Sequence, residues 1–494
     1  LVDAATIEQD FSRGPTPLLT YDMGSTGSTG SGPEATARAT LKTLEGRLDE
    51  KAAQAARFDD YYQGNHPLPE IPFRSEEKAT YYRRKYLELL KKSRTNWMGL
   101  VIDAVGERLK VEGFRFGDEP GDKEAWAMWQ ANNLDAESEQ VHTEALKSGE
   151  AYVSVWFGPD GEPLITPEHP SQVIVTRDPS NRRVRSAALK RWTSDDGTHQ
   201  ATLWLPGFVW KFHKRAGTAA WTPRQPAGEE WPMVNRLGVV PIVAFPNRPD
   251  MLRGGVSEIA GVTPIQDRIN ATVFGRMLAA ELTVGQKRWI TGVSMDEDPV
   301  TGKPLPPDFD AALDNIWMDE NPDAKFGAFP EVTLAGFISA VEADVIHLAA
   351  ITRTPRHYLI QSGQSPSGDA IKSAETGLVA KVRRQHLHFG ESWEQVIRLG
   401  FRIKDDPRAD EPAAETIWGD PESRTEGEHV DAVVKMRSLE IPLEALWERA
   451  GATPQEIARW KTMRAEASLL ATLGQSTVQT GLPEEPPEEE PFTP

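Results

Sequence analysis

Residues 354–397 read TPRHYLIQSGQSPSGDAIKSAETGLVAKVRRQHLHFGESWEQVI, a polar Gly/Ser/Gln/Pro stretch directly ahead of a long periodic helix. The stretch QSGQSPSG (Gln361 to Gly368) can bury nothing apolar, so its backbone must lie on a surface or in a water-filled space. Behind it, Asp369 or Ser367 can cap a new helix, in which Ile371, Ala374, Leu378, Val382, Phe389, Trp393 and Val396 recur at helical spacing. A second helix precedes it: Phe337, Ile338, Val341, Val345, Leu348 and Ile351 lie mostly three or four apart, and Pro355 ends the run. Any fold for this chain must join two helices through a segment that packs into no core.

The other regions are read in the same way. Residues 1–33 end in GSTGSTGSG, a low-complexity tract expected to be a disordered tail. A helix is predicted over about Glu34 to Tyr62. The window 74–94 holds eight basic and three acidic residues, read first as a solvated helix face and second as a contact for DNA or an acidic neighbour. Trp97, Leu100, Val101, Ala104, Val105 and Leu109 predict an amphipathic helix packed on the core.

Between Tyr152 and Phe245, the runs AYVSVWF, SQVIVT, RSAALKRW, ATLWL and FVWKFH are separated by Gly, Pro, Asp and Asn, and predict an antiparallel sheet region. Trp156, Trp192, Trp204, Trp210, Trp221 and Trp231 are read as its buried aromatics, since a base-stacking platform would need basic residues interleaved over one surface. A helix is expected from about Gly255 to Val284, carrying Val256, Ile259, Val262, Ile265, Ile269, Val273 and Met277, with Pro264 either bending it or marking its first turn. Residues 286–330 lose periodicity, and four basic against nine acidic residues leave a local charge of −5. The region 404–470 reads as helices carrying Val430, Val433, Val434, Leu443, Leu446, Trp447, Ile457 and Trp460. The closing GLPEEPPEEEPFTP, with five Glu and five Pro, has too little apolar surface to fold.

The order TPRHYLI, polar loop, SGDAIKSAETGLVAKVRR resembles the tunnel-loop region of portal proteins of tailed double-stranded DNA bacteriophages, of the long-tailed actinobacteriophage type. YYQGNHPLP (Tyr61 to Pro69), RTNWMGLVIDAVGERLKVEGF (Arg94 to Phe114) and TPQEIARW (Thr453 to Trp460) agree in order, so the resemblance spans roughly residues 34–470. It implies an α+β subunit with the elongated phage-portal fold, made of wing, stem helices, clip and helical crown and assembling into a ring. On this chain it implies a wing at 34–254, stem helix 1 at 255–285, a clip at 286–333 and stem helix 2 at 334–353. The tunnel loop would then be 354–370, a long wing helix 371–403, the crown 404–470 and an acidic, Pro-rich tail 471–494.

The implied function is a non-enzymatic, cofactor-free channel at one capsid vertex, a dodecamer, for genome packaging and ejection. Its partners would be double-stranded DNA passing without sequence specificity, the major capsid protein, the large terminase subunit, a head–tail adaptor and a scaffold protein. It would reside in the virion, and in the host cytoplasm during assembly. The residues expected to face the channel are Gln361, Ser362, Gly363, Gln364, Ser365, Pro366, Ser367 and Gly368, small or amide side chains that touch phosphate without strong charge pairing. Lys381, Arg383 and Arg384 are candidates for contact with DNA or, preferentially, a neighbouring subunit.

Charge and missing motifs bound the alternatives. With 55 basic and 74 acidic residues the formal charge is −19, which argues against gripping nucleic acid. It fits a conduit wall that repels phosphate and equally an ordinary acidic soluble protein. The absence of cysteine excludes disulfides and thiolate metal sites and is compatible with a reducing cytoplasm. No apolar run approaching the ~18–20 residues of a bilayer span is expected, and LVDAATIEQD lacks the features of a leader, so neither membrane nor export is expected.

Gly302-Lys303 is followed by Pro and no phosphate-cradling G-x-x-x-x-G-K-[ST] occurs, so the chain is not the motor ATPase. His386 and His388, two apart on a helix, face different directions and are expected in helix-surface or core roles. Ser362, Ser365 and Ser367 have no visible general base. Asp296, Glu297, Asp298, Asp319, Glu320 and Asp323 could hold a divalent metal, which makes a metal-dependent nucleic-acid-processing enzyme the rival reading; solvated-loop acidity explains them more simply. Another head–tail connector is a third reading, but such adaptors are usually shorter and lack this helix–insert–helix–loop–helix order.

Overall fold

The apolar stripe of the first predicted helix is what seats it. In the computed structural model, α1 (Pro33–Tyr62) buries Ala37, Leu41, Leu44, Leu48, Ala55, Phe58 and Tyr61. The structure describes residues 32–70, 75–117, 121–215, 217–218, 220–225, 228, 230–251, 254–284, 288–292, 322–328, 333–360, 367–422 and 426–478. The basic window forms α2 (Glu76–Lys85) and α3 (Leu87–Lys92), and α2 buries none of its side chains. Helix α4 (Met98–Gly106) stops short of Leu109 because the chain turns into strand β1 (Val111–Phe116). Helices α5 (Lys123–Ala131) and α6 (Leu134–Ser148) follow.

The sheet region is antiparallel as expected, but it is two sheets. Strands β2 (Glu150–Phe157), β3 (Pro163–Glu168), β4 (Val173–Arg177), β5 (Arg185–Thr193) and β6 (His199–Trp204) lead into β7 (Phe208–Lys214), β8 (Thr222–Pro223), β9 (Met233–Val234) and β10 (Ile242–Pro246). One sheet runs β10-β2-β3 and the other β4-β5-β6-β7-β8, with β9 also on β7. Strand β3, PLITPE, lies outside the expected runs because Pro163 and Pro167 argue against a strand. It sits at the sheet's edge, where a missing N–H is tolerated.

The tryptophans serve packing. Trp210 lies in a core with Leu41, Leu44 and Leu48 of α1, and Trp221 and Trp231 pack on it. Trp156 packs on the main core, and Trp204 on the small cluster of Tyr152, Val173, Ala188, Val240 and Ile242. Trp192 is half-buried beneath the Lys190 ammonium and the Arg224 guanidinium, each 5.7 Å from the ring centre.

Beyond the sheets come α7 (Thr263–Val284), β11 (Arg288–Thr291), β12 (Lys325–Ala328), α8 (Ala335–Thr352), α9 (Arg356–Leu359) and α10 (Gly368–Ile403). A 3-10 turn at Pro407–Asp410 precedes β13 (Ala414–Trp418), and α11 (Glu426–Arg437), α12 (Leu443–Arg449) and α13 (Pro454–Val478) follow. Helix α7 starts at Thr263, not near Gly255, and Pro264 falls in its first turn, where its missing N–H costs nothing. Its buried Gln266 and Asn270 accept from Trp97 N (3.0 Å) and Thr95 N (2.9 Å), so the RTNW segment docks on α7.

Helices α7 and α8 run antiparallel. Arg268 pairs with Asp344 at 2.6 Å, while further along α7 a Cβ on Gly275 would come 3.1 Å from the ring of Phe337, earlier in α8. Contrary to expectation, α8 is long and apolar enough to cross a membrane by length and composition alone. The paired Asp344 within it and its packing on α7 make it part of this helix pair. The described ends of the segment between α7 and α8 zip together as β11 and β12, and residues 293–321 lie outside the described residues.

Two boundaries near the C-terminus also move. Residues 404–470 are not all helical: AETIW forms β13, which pairs with β1 far back in the sequence, a partnership without a local signal. Helix α13 runs on to Val478, into the segment assigned to the tail, because ATLGQSTV contains no proline to stop it. The expected first tail, up to residue 31, and the last residues from 479 lie outside the described residues.

Helix α10, 36 residues and about 54 Å long at 1.5 Å per residue, is the strut of the main core. Trp393 meets Trp129 and Phe245 with ring centres 4.8 and 4.6 Å apart, and Phe401 meets Phe116 at 5.2 Å. The Trp393 indole N–H donates to Nε2 of the fully buried His142 at 2.9 Å, and that imidazole stacks on Phe389. Burial pushes the His142 pKa down to about 3.

Below about pH 6.5 the unfolded chain therefore takes up a proton that the folded chain refuses, so stability falls as acid is added, by about 2 kcal/mol from this group at pH 5. Urea midpoints at pH 7 and pH 5 should drop less for His142→Gln than for the parent chain. Equal drops would show that His142 does not titrate in this way.

Candidate functional site

Of the eight residues expected to form the site, 361–366 lie outside the described residues, and the two anchors that flank them are described. Downstream, Ser367 is the helix cap: its hydroxyl accepts from the Ala370 N–H at 3.4 Å, and both it and Gly368 are exposed. Upstream, α8 ends at Thr352, and Arg353 turns into the left-handed region at φ 57°. The Thr354 N–H then donates to Ala349 O at 3.1 Å. Pro355 thus follows the end of α8 and serves as the first residue of the turn into α9, whose Leu359 is buried.

The anchors are tied to each other. Tyr358, just before the segment, donates its hydroxyl to Glu375 Oε1, just after it, at 2.8 Å. Arg108, beyond the end of α4, donates from Nη2 to the Tyr358 oxygen at 2.6 Å and lies 3.6 Å from Glu375 Oε1. Burial, followed by the bond to Glu375, raises the Tyr358 pKa. The helical stripe read from sequence includes Ala374, yet Ala374 is exposed and Glu375 is buried. Glu375 gave no signal of its own, because its cationic partner comes from a distant part of the chain.

A second anchor lies further along α10. Lys381 is 3% exposed, and its ammonium sits 2.7 Å from Glu258 Oε2 and donates to Thr352 O at 2.9 Å, capping a free carbonyl at the end of α8. The buried Gln385 and Asn247 complete the cluster: both donate to Glu258 Oε1, at 3.4 and 3.3 Å, and Gln385 also donates to Asn247 Oδ1. Burial draws the Lys381 pKa down, while Glu258 opposes the shift.

Lys381 is therefore no surface cation for DNA or a neighbouring subunit; in this subunit it is an internal tie. The other two candidates are on the surface, Arg383 paired with Glu422 and Arg384 exposed. His386 and His388 do not converge: His386 stacks on Trp418 with ring centres 4.6 Å apart, and burial pushes it down to about 4. Among the described residues no group of three His, Cys, Asp or Glu could hold a metal. Asp323 is exposed, while Asp296, Glu297, Asp298, Asp319 and Glu320 lie outside the described residues.

The chain's relatives bear on what these anchors hold. A family model described as phage portal protein, SPP1 Gp6-like, matches residues 41–469. A portal protein of Mycobacterium phage D29 is 32% identical over 395 residues, covering 75% of this chain and 79% of that protein. A portal protein of Mycobacterium phage L5 is 34% identical over 357 residues, covering 68% of this chain and 71% of that protein. None of these matches supports the metal-dependent enzyme.

The buried pair makes a sharp prediction. Lys381→Met keeps most of the volume but strands Glu258, and should cost about 3–5 kcal/mol in urea unfolding. Adding Glu258→Gln should recover a large part of that loss, since the remaining groups are then uncharged. A single-variant cost below about 1 kcal/mol, as for exposed pairs, would show that the pair is not a structural tie.

Proposed function

Because the chain belongs to the SPP1 Gp6-like family of phage portal proteins, a structural and not a catalytic family, we propose that copies of it close into a dodecameric ring at one capsid vertex. DNA enters the head through that ring under the large terminase motor and leaves through it when the genome is ejected. The chain is then a virion component, assembled in the host cytoplasm. The major capsid protein surrounds the ring, a scaffold protein accompanies its assembly, and a head–tail adaptor replaces the terminase after packaging.

In this reading residues 34–254 are the wing, and α7 and α8 are the stem helices. The insert between them is the clip, with β11 and β12 as its neck, and residues 404–470 are the crown. Ring assembly is supported by α8, whose Ile338, Ile346 and Ile351 are 45%, 37% and 61% exposed, since apolar side chains on one helix call for cover by a neighbouring copy.

The observation that carries the channel reading is the pair of anchors. Tyr358 and Glu375 fix both ends of a short segment with no charged residue between Gln361 and Gly368. A tethered, uncharged segment can meet a moving phosphate backbone without exchanging its counterions for fixed cations. That is what a conduit needs, and it differs from what a gripping protein needs.

Two measurements test this. The mass of the purified protein in solution should be that of a closed ring with no metal-stimulated nuclease activity; a monomer or dimer that cuts DNA with metal would overturn the reading. Gln364→Lys with Ser365→Lys should leave assembly intact but place a cationic collar around the channel by symmetry. Packaging should slow and recover partly as salt rises. Normal packaging by assembled variant rings at low salt would remove residues 361–368 from the channel wall.

A further inference from the structure

The last turns of α10 carry a feature that the channel reading does not use. Arg185 of β5, partly buried, donates from Nη1 to Gln395 Oε1 at 2.9 Å and forms no ion pair with any described carboxylate. It opens on a cavity of about 150 Å³ whose wall also holds Arg398 and Arg402 and, among the described residues, includes no Asp or Glu. Val239 and Leu399 make part of its apolar side.

The two α10 arginines do not supply Arg185 with a counter-charge. Arg398 spends Nε and Nη2 on the carbonyls of Glu411 (2.9 Å) and Pro412 (3.1 Å), and its carboxylate neighbour Glu394 is 3.9 Å away. Arg402 bonds Asp410 at 2.6 Å, but that carboxylate is 83% exposed and turned to solvent. Burial, then Arg177 and Arg402, pull the Arg185 pKa down to about 10, so it stays charged at neutral pH. In a chain of net charge −19, a sheltered cation facing two others with no acid in the wall is a local excess that folding alone leaves unbalanced.

The chemistry that suits this wall follows from the fork geometry of guanidinium, which matches an oxyanion through paired N–H donors. The cavity is far below the roughly 300–1,000 Å³ of a cofactor pocket, so it fits the anionic group itself and not a large molecule. Gln395 to Arg402 lie about 40–50 Å along α10 from Ser367, at 1.5 Å per residue, so the site is separate from the segment proposed to face DNA. We propose that the Arg185–Arg398–Arg402 cavity binds a phosphate-class oxyanion, free or as the phosphate of a nucleotide, which braces the end of α10 against β5.

Calorimetric titration of the full chain with sodium phosphate, in chloride buffer of matched ionic strength, tests this. Saturable binding is expected, weakened about tenfold or more in Arg185→Gln and several-fold in Arg402→Gln, with folding checked by circular dichroism. Parallel titration with AMP assigns the source: equal affinity points to free phosphate and tighter binding to a nucleotide. No saturable binding by the parent chain, or unchanged affinity in either folded variant, would overturn the site. So would binding to dissociated subunits that is lost on ring assembly, because a carboxylate of a neighbouring copy would then be the natural occupant.

Discussion

A lysine ammonium and a glutamate carboxylate, both removed from water, can be tolerated in a protein interior only if they meet each other and their remaining hydrogen-bonding positions are filled. Lys381 and Glu258 satisfy this condition together, with Thr352 O, Gln385 and Asn247. The requirement draws four stretches of chain to one point: the end of the β10 strand, the turn before α7, the last turn of α8 and the middle of α10. Once they meet there, the direction in which α10 leaves α8 is set. The Tyr358–Glu375–Arg108 cluster applies the same logic nearer the start of α10. The chain on either side of residues 361–366, which lie outside the described residues, is thus held by packing of its own.

The division of charge along this part of the chain has a physical sense. Lys381 is internal and Arg383 is paired, while residues 361–368 carry no charge. In the proposed channel, strong cations at 361–368 would exchange counterions with phosphate and hold it. The cavity around Arg185 keeps its positive charge near the other end of α10.

Much of this was legible in the sequence because it rests on local periodicity. Leu378, Val382, Phe389, Trp393 and Val396 are buried, as their spacing indicates, and Ser367 caps the helix they define. The expected strand runs between residues 151 and 213 all appear. What could not be read are features made by distant partners. Glu375 and Lys381 look like solvated helix residues until Arg108 and Glu258 are brought to them, and AETIW becomes a strand only beside β1. The edge strand PLITPE was hidden by its prolines, whose cost depends on where in a sheet they fall. Arg185 had no signature at all, since its excess charge is defined by the absence of an acid in a wall built from β5 and α10.

The proposed contact of residues 361–368 with DNA can be read from crosslinks. A photoreactive side chain placed at Ser365, in heads arrested during packaging, tests it most directly, with the 84% exposed Met251 as the control position. DNA adducts are expected from position 365 and none from position 251. Adducts from 251 with none from 365, in heads that hold DNA, would contradict it.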